Sequence, residues 1–269
     1  MTTPVSSSDH RNDQQVKRQI QRMTRRSFAV GAVAAVGGLA GWGWLTTRPD
    51  DEAIPWPLRR MLRWNEQVSR GYFRPTRLAP TFSQDIARMP RVNGHIGLDG
   101  RFDPAAWRLR LENTAGAKPL ALTLQDIQAL PRVDTVVELK CIEGWSDPVR
   151  WTGARMSDLV AKFGRATRSG RAIDLEHTAS DLFRYVMLST PDAAYYVGLD
   201  IESALHPQTL LCYEMNGEPL TPGHGAPLRL AIPVKYGIKN IKRIGTIRFT
   251  DERPADYWAE RGYDWYAGH

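Results

Sequence analysis

The order of strand-like and helix-like segments from residue 82 onward constrains the fold more than any other feature of the sequence. Alternating or β-branched runs such as 133–141 predict strands, and short helical patterns at 122–130 and 154–164 interrupt them. The chain has no regular alternation of strand and long helix and no Gly-x-Gly-x-x-Gly element. This order predicts an α+β (mixed α/β) fold and argues against a Rossmann domain.

Three local signals predict where individual elements begin or end. Thr123 precedes a helical pattern and is a candidate N-cap, and Gly164 ends the next helical pattern as a candidate C-cap. Asn216-Gly217 follows a strand-like run and is a strong hairpin-turn signal.

The N-terminal part of the chain contains the pattern of a targeting signal. Arg25 and Arg26 directly precede an apolar run, Phe28–Leu45, which predicts a twin-arginine export signal. The alternative is an ordinary transmembrane anchor, since the run approaches the roughly 17–25 residues that a bilayer core requires. No Ala-x-Ala cleavage site follows Leu39, so we expect 25–45 to remain as an anchor. The arginines then place the rest of the chain on the periplasmic side.

The expected domain organisation follows from these patterns. We expect a disordered basic region at 1–24, the signal or anchor at 25–45, a linker and amphipathic helix at 46–79, and one domain at 80–269. The net charge is +7, but part of it lies in the basic region before the apolar run. We expect no nucleic-acid partner, because no basic helix with interleaved aromatic residues and no RNA-binding motif is present.

Cys141 is one of only two cysteines and stands at the end of a predicted strand. Without a Cys-x-x-Cys pair, a zinc ribbon, a thioredoxin-like site and a covalent c-type haem are disfavoured. A thiolate at a strand end suits a soft metal, whereas a lone cysteine is otherwise a small buried apolar residue. A third reading is a thiol enzyme with His177 or His224 as the base. Cys212 lies among apolar residues, and we interpret it as buried.

The segment from His224 to Ile244 is rich in cations. Arg229 lies inside an apolar strand, where a charge requires an anionic partner. Lys239, Lys242 and Arg243 follow a Tyr-Gly turn whose backbone N–H groups can cradle an anion. Together these residues predict a phosphate-bearing ligand, which a non-catalytic binding protein would also explain.

Two stretches carry a resemblance to a known family. "KCIEGW" and "ALHPQTLLCYEMNGEPLTPGHGAPLRLAIPVKYGIKNIKRI" resemble the sulfite-oxidase family of mononuclear molybdenum enzymes, and most closely its protein-methionine-sulfoxide reductase branch. The resemblance covers roughly residues 80–269. It implies a sulfite-oxidase-type molybdopterin-binding fold, and we expect a monomer without the immunoglobulin-like dimerisation domain.

The resemblance also implies roles for individual residues. Cys141 resembles the molybdenum ligand, with the other sulfurs supplied by the dithiolene of a molybdopterin that carries no added nucleotide. Glu143 resembles the acid near the metal in the sulfoxide-reductase branch. The remaining residues that the resemblance places at the cofactor are Asn93, His95, Thr178, His224, Arg229, Gly237, Ile238 and Lys239.

The implied reaction is oxygen-atom transfer at molybdenum, as in sulfoxide reduction. Sulfite oxidation is the alternative within the family, although no arginine appears among Ile142–Trp145. The chain contains no haem or iron–sulfur motif. We therefore expect a separate electron partner, either a membrane b-type or a soluble c-type cytochrome, in addition to the twin-arginine export machinery.

Overall fold

The computed structural model describes residues 7–51, 54–98, 102–171, 173 and 179–269, with side chains from residue 25 onward. The chain divides into two compact units, Met1–Leu58 and Arg59–His269. Thr178 and His177, both named above, lie outside the described residues.

The first unit is dominated by one long helix. Helix α1 (Ser7–Thr46) is followed by a small antiparallel pair, β1 (Asp50–Asp51) and β2 (Ile54–Pro55). The expectation of disorder at 1–24 differs from the structure from Ser7 onward, because residues 14–23 are rich in good helix formers such as Gln, Lys, Arg and Met. Within α1, Arg25–Thr46 is long and apolar enough to cross a membrane by length and composition.

The remaining helices and strands follow in chain order. They are α2 (Trp56–Tyr72), β3 (Leu109–Asn113), β4 (Leu120–Leu122), α3 (Leu124–Gln128), β5 (Arg132–Lys140), β6 (Ser146–Arg155), α4 (Met156–Phe163), β7 (Tyr185–Ser189), β8 (Tyr196–Asp200), α5 (Ile201–Ala204), β9 (Leu210–Met215), β10 (Glu218–Pro219), β11 (Arg229–Ala231) and β12 (Thr246–Thr250).

Two five-stranded sheets organise the second unit. One has the order β10-β9-β6-β5, with β11 paired to β9, and the other has the order β4-β3-β12-β7-β8. The only parallel pair between the named strands is β3 with β12. Buried side chains of both sheets and of α3 and α4 form one core, which includes Leu109, Leu159 and Leu230. The expected mixture of strands and short helices is confirmed.

The three local signals are also confirmed. Thr123 accepts a hydrogen bond from the backbone of Asp126, and Asp126 returns one to Thr123, which closes a capping box on α3. Gly164 ends α4 with a φ of 71°. Asn216 and Gly217 adopt φ values of 54° and 86° at the turn between β9 and β10, as a two-residue hairpin turn requires.

Helix α2 belongs to the second unit from Arg59 onward, so this unit begins before the expected boundary at residue 80. Polar contacts with residues near the C-terminus hold α2 to the second unit. Arg59 is buried and donates to the carbonyl of Ala259 at 2.8 Å, and buried Glu66 pairs with Arg253 at 2.7 Å. The local sequence of α2 gives no sign that the polar side of the helix faces the domain.

Candidate active site

Cys141 directly follows β5 and is the first residue of a tight loop. Its N–H donates to the carbonyl of Trp145 at 2.9 Å, and its carbonyl accepts from Gly144 at 3.1 Å. Gly144 has a φ of 87°, a conformation that glycine adopts without steric cost. The loop leaves the thiol free and only partly buried, so the sulfur is accessible to a ligand.

An amide lies close to this sulfur, and a carboxylate lies in the same loop. The Nδ2 atom of Asn93 is 3.8 Å from the Cys141 Sγ atom, and Trp145 donates its indole N–H to Glu143 at 3.0 Å. The hydrogen bonds from Trp145 and Asn93, followed by the charge of Arg91, lower the pKa of Glu143. Glu143 is therefore ionised at neutral pH. Arg91 itself stacks on Trp145, at 5.1 Å from the ring centroid.

A short 3₁₀ helix, Gly237–Lys239, approaches the other side of the cysteine. A Cβ atom added at Gly237 would lie 3.3 Å from the carbonyl oxygen of Lys140 and 3.7 Å from the Cα atom of Cys141. The structure thus places the backbone of Gly237 beside Lys140 and Cys141.

Arg229 lies on β11 opposite Cys212 of β9, and its side chain is buried. Nη1 donates to the carbonyl of His224 at 3.1 Å and Nη2 to that of Asn240 at 3.4 Å. The guanidinium also stacks on Trp151 at 4.6 Å. Its buried Nε atom has no hydrogen-bond partner among the described residues. A buried donor of this kind is costly unless a ligand satisfies it.

Lys242 and His224 share the surroundings of Arg229. Burial, and then repulsion from Arg229, lowers the pKa of Lys242 to about 8. Burial, followed by Arg229 and Lys242, lowers the pKa of His224 to about 4, so this imidazole is neutral at pH 7. We call Arg229 and Lys242 the open cation pair, because no carboxylate of the described residues forms a salt bridge with either. Such a pair favours a bound anion.

Lys242 also fixes the loop that carries Asn93. Its ammonium donates to the carbonyls of Asn93 at 2.6 Å, Gly94 at 3.2 Å and Gly223 at 2.9 Å. Lys242 was predicted only as one cation of the basic segment, with no assigned place at the site. Its spacing from Lys239 is the only signal that the sequence offers, and that signal does not distinguish a structural lysine from a ligand-binding one.

The resemblance places Lys239 at the cofactor, but the ammonium of its side chain is directed into the protein. It is fully buried and donates to Asp256 at 2.5 Å and to the carbonyl of Gly198 at 2.9 Å. An ammonium with its own carboxylate has no need of a second anion. Only the backbone of Lys239 remains for a ligand.

Other predicted residues have less distinct positions. His95 is exposed, and its carbonyl accepts from Leu98 within the turn of the Asn93 loop. Ile238 is partly buried, and its carbonyl accepts from the Tyr195 hydroxyl at 2.6 Å. Cys212 is fully buried, and burial raises the pKa of its thiol to about 12, which agrees with its interpretation as an inert buried residue.

A cavity of about 450 Å³ adjoins the end of β5. Its wall includes Lys140, the residue before Cys141, together with Tyr72, Tyr266 and His269. Aromatic rings and cations of this kind can receive a group that is part apolar and part anionic.

The fold and the site together define a class, namely a mixed α/β domain in which a free, partly buried cysteine lies at a strand end and nearby cations have no carboxylate partner among the described residues. Residues 95–258 match the family model described as "Oxidoreductase molybdopterin binding domain". This chain belongs to that family, and its domain type implies a molybdenum-molybdopterin cofactor.

Individual relatives agree with this assignment. The chain is 32% identical to a "Putative protein-methionine-sulfoxide reductase subunit YedZ1" of Azospira oryzae, over 91% of this chain and 86% of the relative. It is 32% identical to a "Protein-methionine-sulfoxide reductase catalytic subunit MsrP" of Ralstonia nicotianae, over 90% of this chain and 74% of the relative. The MsrP of Campylobacter jejuni is also 32% identical, over 64% of this chain and 59% of the relative.

Among solved structures, the sulfane dehydrogenase SoxCD from Paracoccus pantotrophus is similar with a TM-score of 0.46 and 19% identity. That similarity covers 57% of this chain and 40% of the SoxCD chain.

The residues of the site fit the implied cofactor. Molybdopterin is a phosphate-bearing dithiolene, and the open cation pair supplies charge without a carboxylate to neutralise it. The unsatisfied Nε atom of Arg229 supplies a buried donor. Cys141 supplies an accessible sulfur, which is the type of ligand that soft metals prefer.

Proposed function

We propose that this chain is an exported molybdenum oxidoreductase that removes the oxygen atom of a sulfoxide, with methionine sulfoxide in proteins as the substrate class. Cys141 ligates the molybdenum, and Glu143 handles protons beside it. Electrons come from a separate haem protein, either a membrane b-type or a soluble c-type cytochrome. The relatives named above are described as subunits of protein-methionine-sulfoxide reductases, which supports both the substrate class and the existence of another subunit.

The proposed contacts to the cofactor divide by chemistry. Arg229 and Lys242 lie where they would neutralise the phosphate of a nucleotide-free molybdopterin, with His224 as a neutral hydrogen-bonding group beside them. Asn93 and the backbone of 237–239 flank Cys141 and would hold the cofactor in orientation. His95 and Thr178 stay predictions from the resemblance. When bound, the cofactor supplies the two-electron exchange and accepts the oxygen atom.

The position and the charge of Glu143 favour a sulfoxide over sulfite as the substrate. Its carboxylate lies next to Cys141 in the loop and has a lowered pKa. An ionised carboxylate repels an anion such as sulfite but does not repel a neutral sulfoxide. Arg91 offsets part of this repulsion, yet it is stacked on Trp145.

The reaction requires protons as well as electrons. Removing an oxygen atom from a sulfoxide consumes two protons and two electrons and releases a thioether and water. An exposed carboxylate with a lowered pKa is a poor proton store at neutral pH, so Glu143 would relay protons from solvent. The Trp145 hydrogen bond orients that carboxylate and keeps it next to the cysteine loop.

The proposed location outside the cytoplasm is supported by the N-terminal sequence. The paired arginines at 25 and 26 begin a segment, Arg25–Thr46, with the length and composition of a membrane span. The twin-arginine route exports folded proteins, which suits an enzyme that receives its cofactor before export. We propose that the segment is retained as an anchor and that the catalytic unit is monomeric.

A steady-state assay of the cofactor-loaded enzyme tests the proposed function. An artificial reductant should drive reduction of methionine sulfoxide in peptides, whereas sulfite oxidation with an artificial acceptor should be slower by orders of magnitude. Glu143→Gln should lower kcat for the sulfoxide on the order of 10²-fold and change its pH profile, with molybdenum content unchanged. Glu218→Gln, a change at an exposed carboxylate of β10, serves as the control.

Two results would count against the proposal. One is turnover of sulfite at a rate equal to or above that of sulfoxides, which would favour the sulfite-oxidising alternative. The other is a Glu143→Gln enzyme with unchanged kcat and pH profile, which would remove the proposed proton relay.

A further inference from the structure

Helix α2 presents an apolar face to solvent. Met61, Trp64, Val68 and Tyr72 recur every three or four residues, and their exposed fractions are 56%, 57%, 51% and 72%. We call these four residues the α2 apolar face. An amphipathic helix on a globular domain normally packs its apolar side inward. A continuous exposed apolar stripe marks a surface that another phase or molecule covers.

Polar contacts hold α2 in this orientation. Arg59 donates to the carbonyls of Ala259 and Tyr263, at 2.8 and 3.2 Å. Glu66, on the same side of the helix, pairs with Arg253 at 2.7 Å and with Arg70 at 3.3 Å. Both Arg59 and Glu66 are buried, so rotation of the helix would bury the apolar face only by breaking buried ion pairs and hydrogen bonds.

The charge around the apolar face is basic. Arg60, Arg63, Arg74 and Arg77 are exposed on α2 or directly after it. The acidic residue of the helix, Glu66, is buried in its ion pairs. Exposed cations beside an apolar stripe that contains Trp and Tyr are the features of a helix lying in the interface of an anionic bilayer.

The sequence places this helix close to a segment that can span a membrane. The candidate span ends at Thr46, and α2 begins at Trp56. The intervening residues 47–55 reach at most about 30 Å when fully extended. A chain anchored by that segment therefore keeps α2 within reach of the headgroups.

We infer that the α2 apolar face docks on the surface of an anionic lipid bilayer, with the arginines on the headgroups. Met61, Trp64, Val68 and Tyr72 then enter the boundary between headgroups and acyl chains. The inference rests on the proposed anchoring and not on the proposed reaction. An enzyme that reduces sulfoxides but fails the test below contradicts this inference alone.

Hydroxyl-radical footprinting measures the exposure of Met, Trp and Tyr side chains directly. The full chain would be reconstituted through its apolar segment in nanodiscs of phosphatidylglycerol mixed with phosphatidylcholine, and in nanodiscs of phosphatidylcholine alone. In the anionic nanodiscs, oxidation of Met61, Trp64 and Tyr72 should slow about fivefold or more relative to the neutral ones. Met89 and Tyr263, which are 61% and 40% exposed, are internal controls whose oxidation should not change.

A variant separates docking from anchoring. Trp64→Asp places a charge on the face at a residue that does not line the cavity, and it should restore fast oxidation of Met61 and Tyr72 in anionic nanodiscs, with molybdenum content unchanged. Equal oxidation of the face in both lipids of the wild-type protein would overturn the inference. Protection that appears only in native membranes and not in lipid nanodiscs would also overturn it and would indicate a membrane-protein partner instead.

Discussion

Two pairs of cations lie within the same segment of the chain and have opposite surroundings. Lys235 is 3.4 Å from Asp200, and Lys239 is 2.5 Å from Asp256. Arg229 and Lys242 have no such carboxylate among the described residues. Lys235 and Lys239 have carboxylate partners within the protein, whereas the charges of the open cation pair favour a bound anion.

This difference teaches how to separate structural from ligand-binding charges in a basic segment. A buried ion pair is neutral as a unit and holds elements together, as Asp256 does by also accepting from the backbone of Gly198 and Ala259. A buried cation without a counter-charge costs stability in the apoprotein and recovers it when an anion binds. Both kinds of cation lie in the same basic segment, so the sequence alone does not separate the structural charges from the ligand-binding ones.

The largest predicted effect is a loss of stability when the buried pair of Lys239 and Asp256 is broken. Asp256→Asn leaves the buried Lys239 ammonium without its counter-charge, and we expect the free energy of unfolding of the apoprotein to fall by about 3–5 kcal/mol. Urea denaturation of the apoprotein measures this change. The double variant Asp256→Asn with Lys239→Met should recover part of the loss, because no unpaired charge is left. A single-variant loss below about 1 kcal/mol would show that the pair is not structural.

The opposite pattern is expected for the open pair. Arg229→Met removes an unpaired buried charge, so the gain should offset the loss of two carbonyl hydrogen bonds and the apoprotein should change by less than about 1 kcal/mol. The molybdopterin content of the purified enzyme should nevertheless fall at least about tenfold, because the phosphate of the cofactor loses a buried counter-charge. Arg108→Met on the surface is the matched control. An Arg229→Met protein with full pterin content would remove Arg229 from the cofactor site.

The smallest expected effect is the contribution of Lys242 to the pH dependence of the free energy of unfolding. Its pKa is lowered from 10.5 to about 8 in the folded apoprotein. Between these two values the unfolded chain binds more protons than the folded chain, so the free energy of unfolding should rise as the pH increases from 8 to 10.5. Lys242→Met should remove this contribution, and Lys118→Met should not.

Cofactor binding provides a second comparison for the pH dependence of the free energy of unfolding. A bound phosphate raises the pKa of Lys242 toward its usual value, so the cofactor-loaded protein should show a smaller slope than the apoprotein over that pH range. Equal slopes for the loaded protein, the apoprotein and Lys242→Met would contradict the assignment of Lys242 to the open pair.

The parts of the fold that were predictable from sequence are those determined by local chemistry. Thr123 and Asp126 are three residues apart and cap α3 by themselves, and Asn216-Gly217 sets its own turn. The position of α2 was not predictable, because its orientation depends on Arg253 and Ala259, which are about two hundred residues away in sequence.

The candidate site divides in the same way. Arg229 was predictable as an unusual buried cation, because a charge inside an apolar strand is costly wherever the strand lies, and its binding of a ligand stays a prediction. Lys239 and Lys242 look alike in sequence, and only the fold decides that Asp256 neutralises one and that the other fixes the Asn93 loop. Thr178 lies outside the described residues, and its role stays a prediction.

The most direct test of the central claim is the molybdenum content of the purified protein, measured for the wild type, Cys141→Ala and Cys212→Ala from a host that makes molybdopterin. The account predicts stoichiometric molybdenum in the wild type and in Cys212→Ala, and loss or altered electronic spectra of the metal in Cys141→Ala. A folded wild-type protein without molybdenum, or a Cys141→Ala protein with the wild-type content and spectrum, would contradict it.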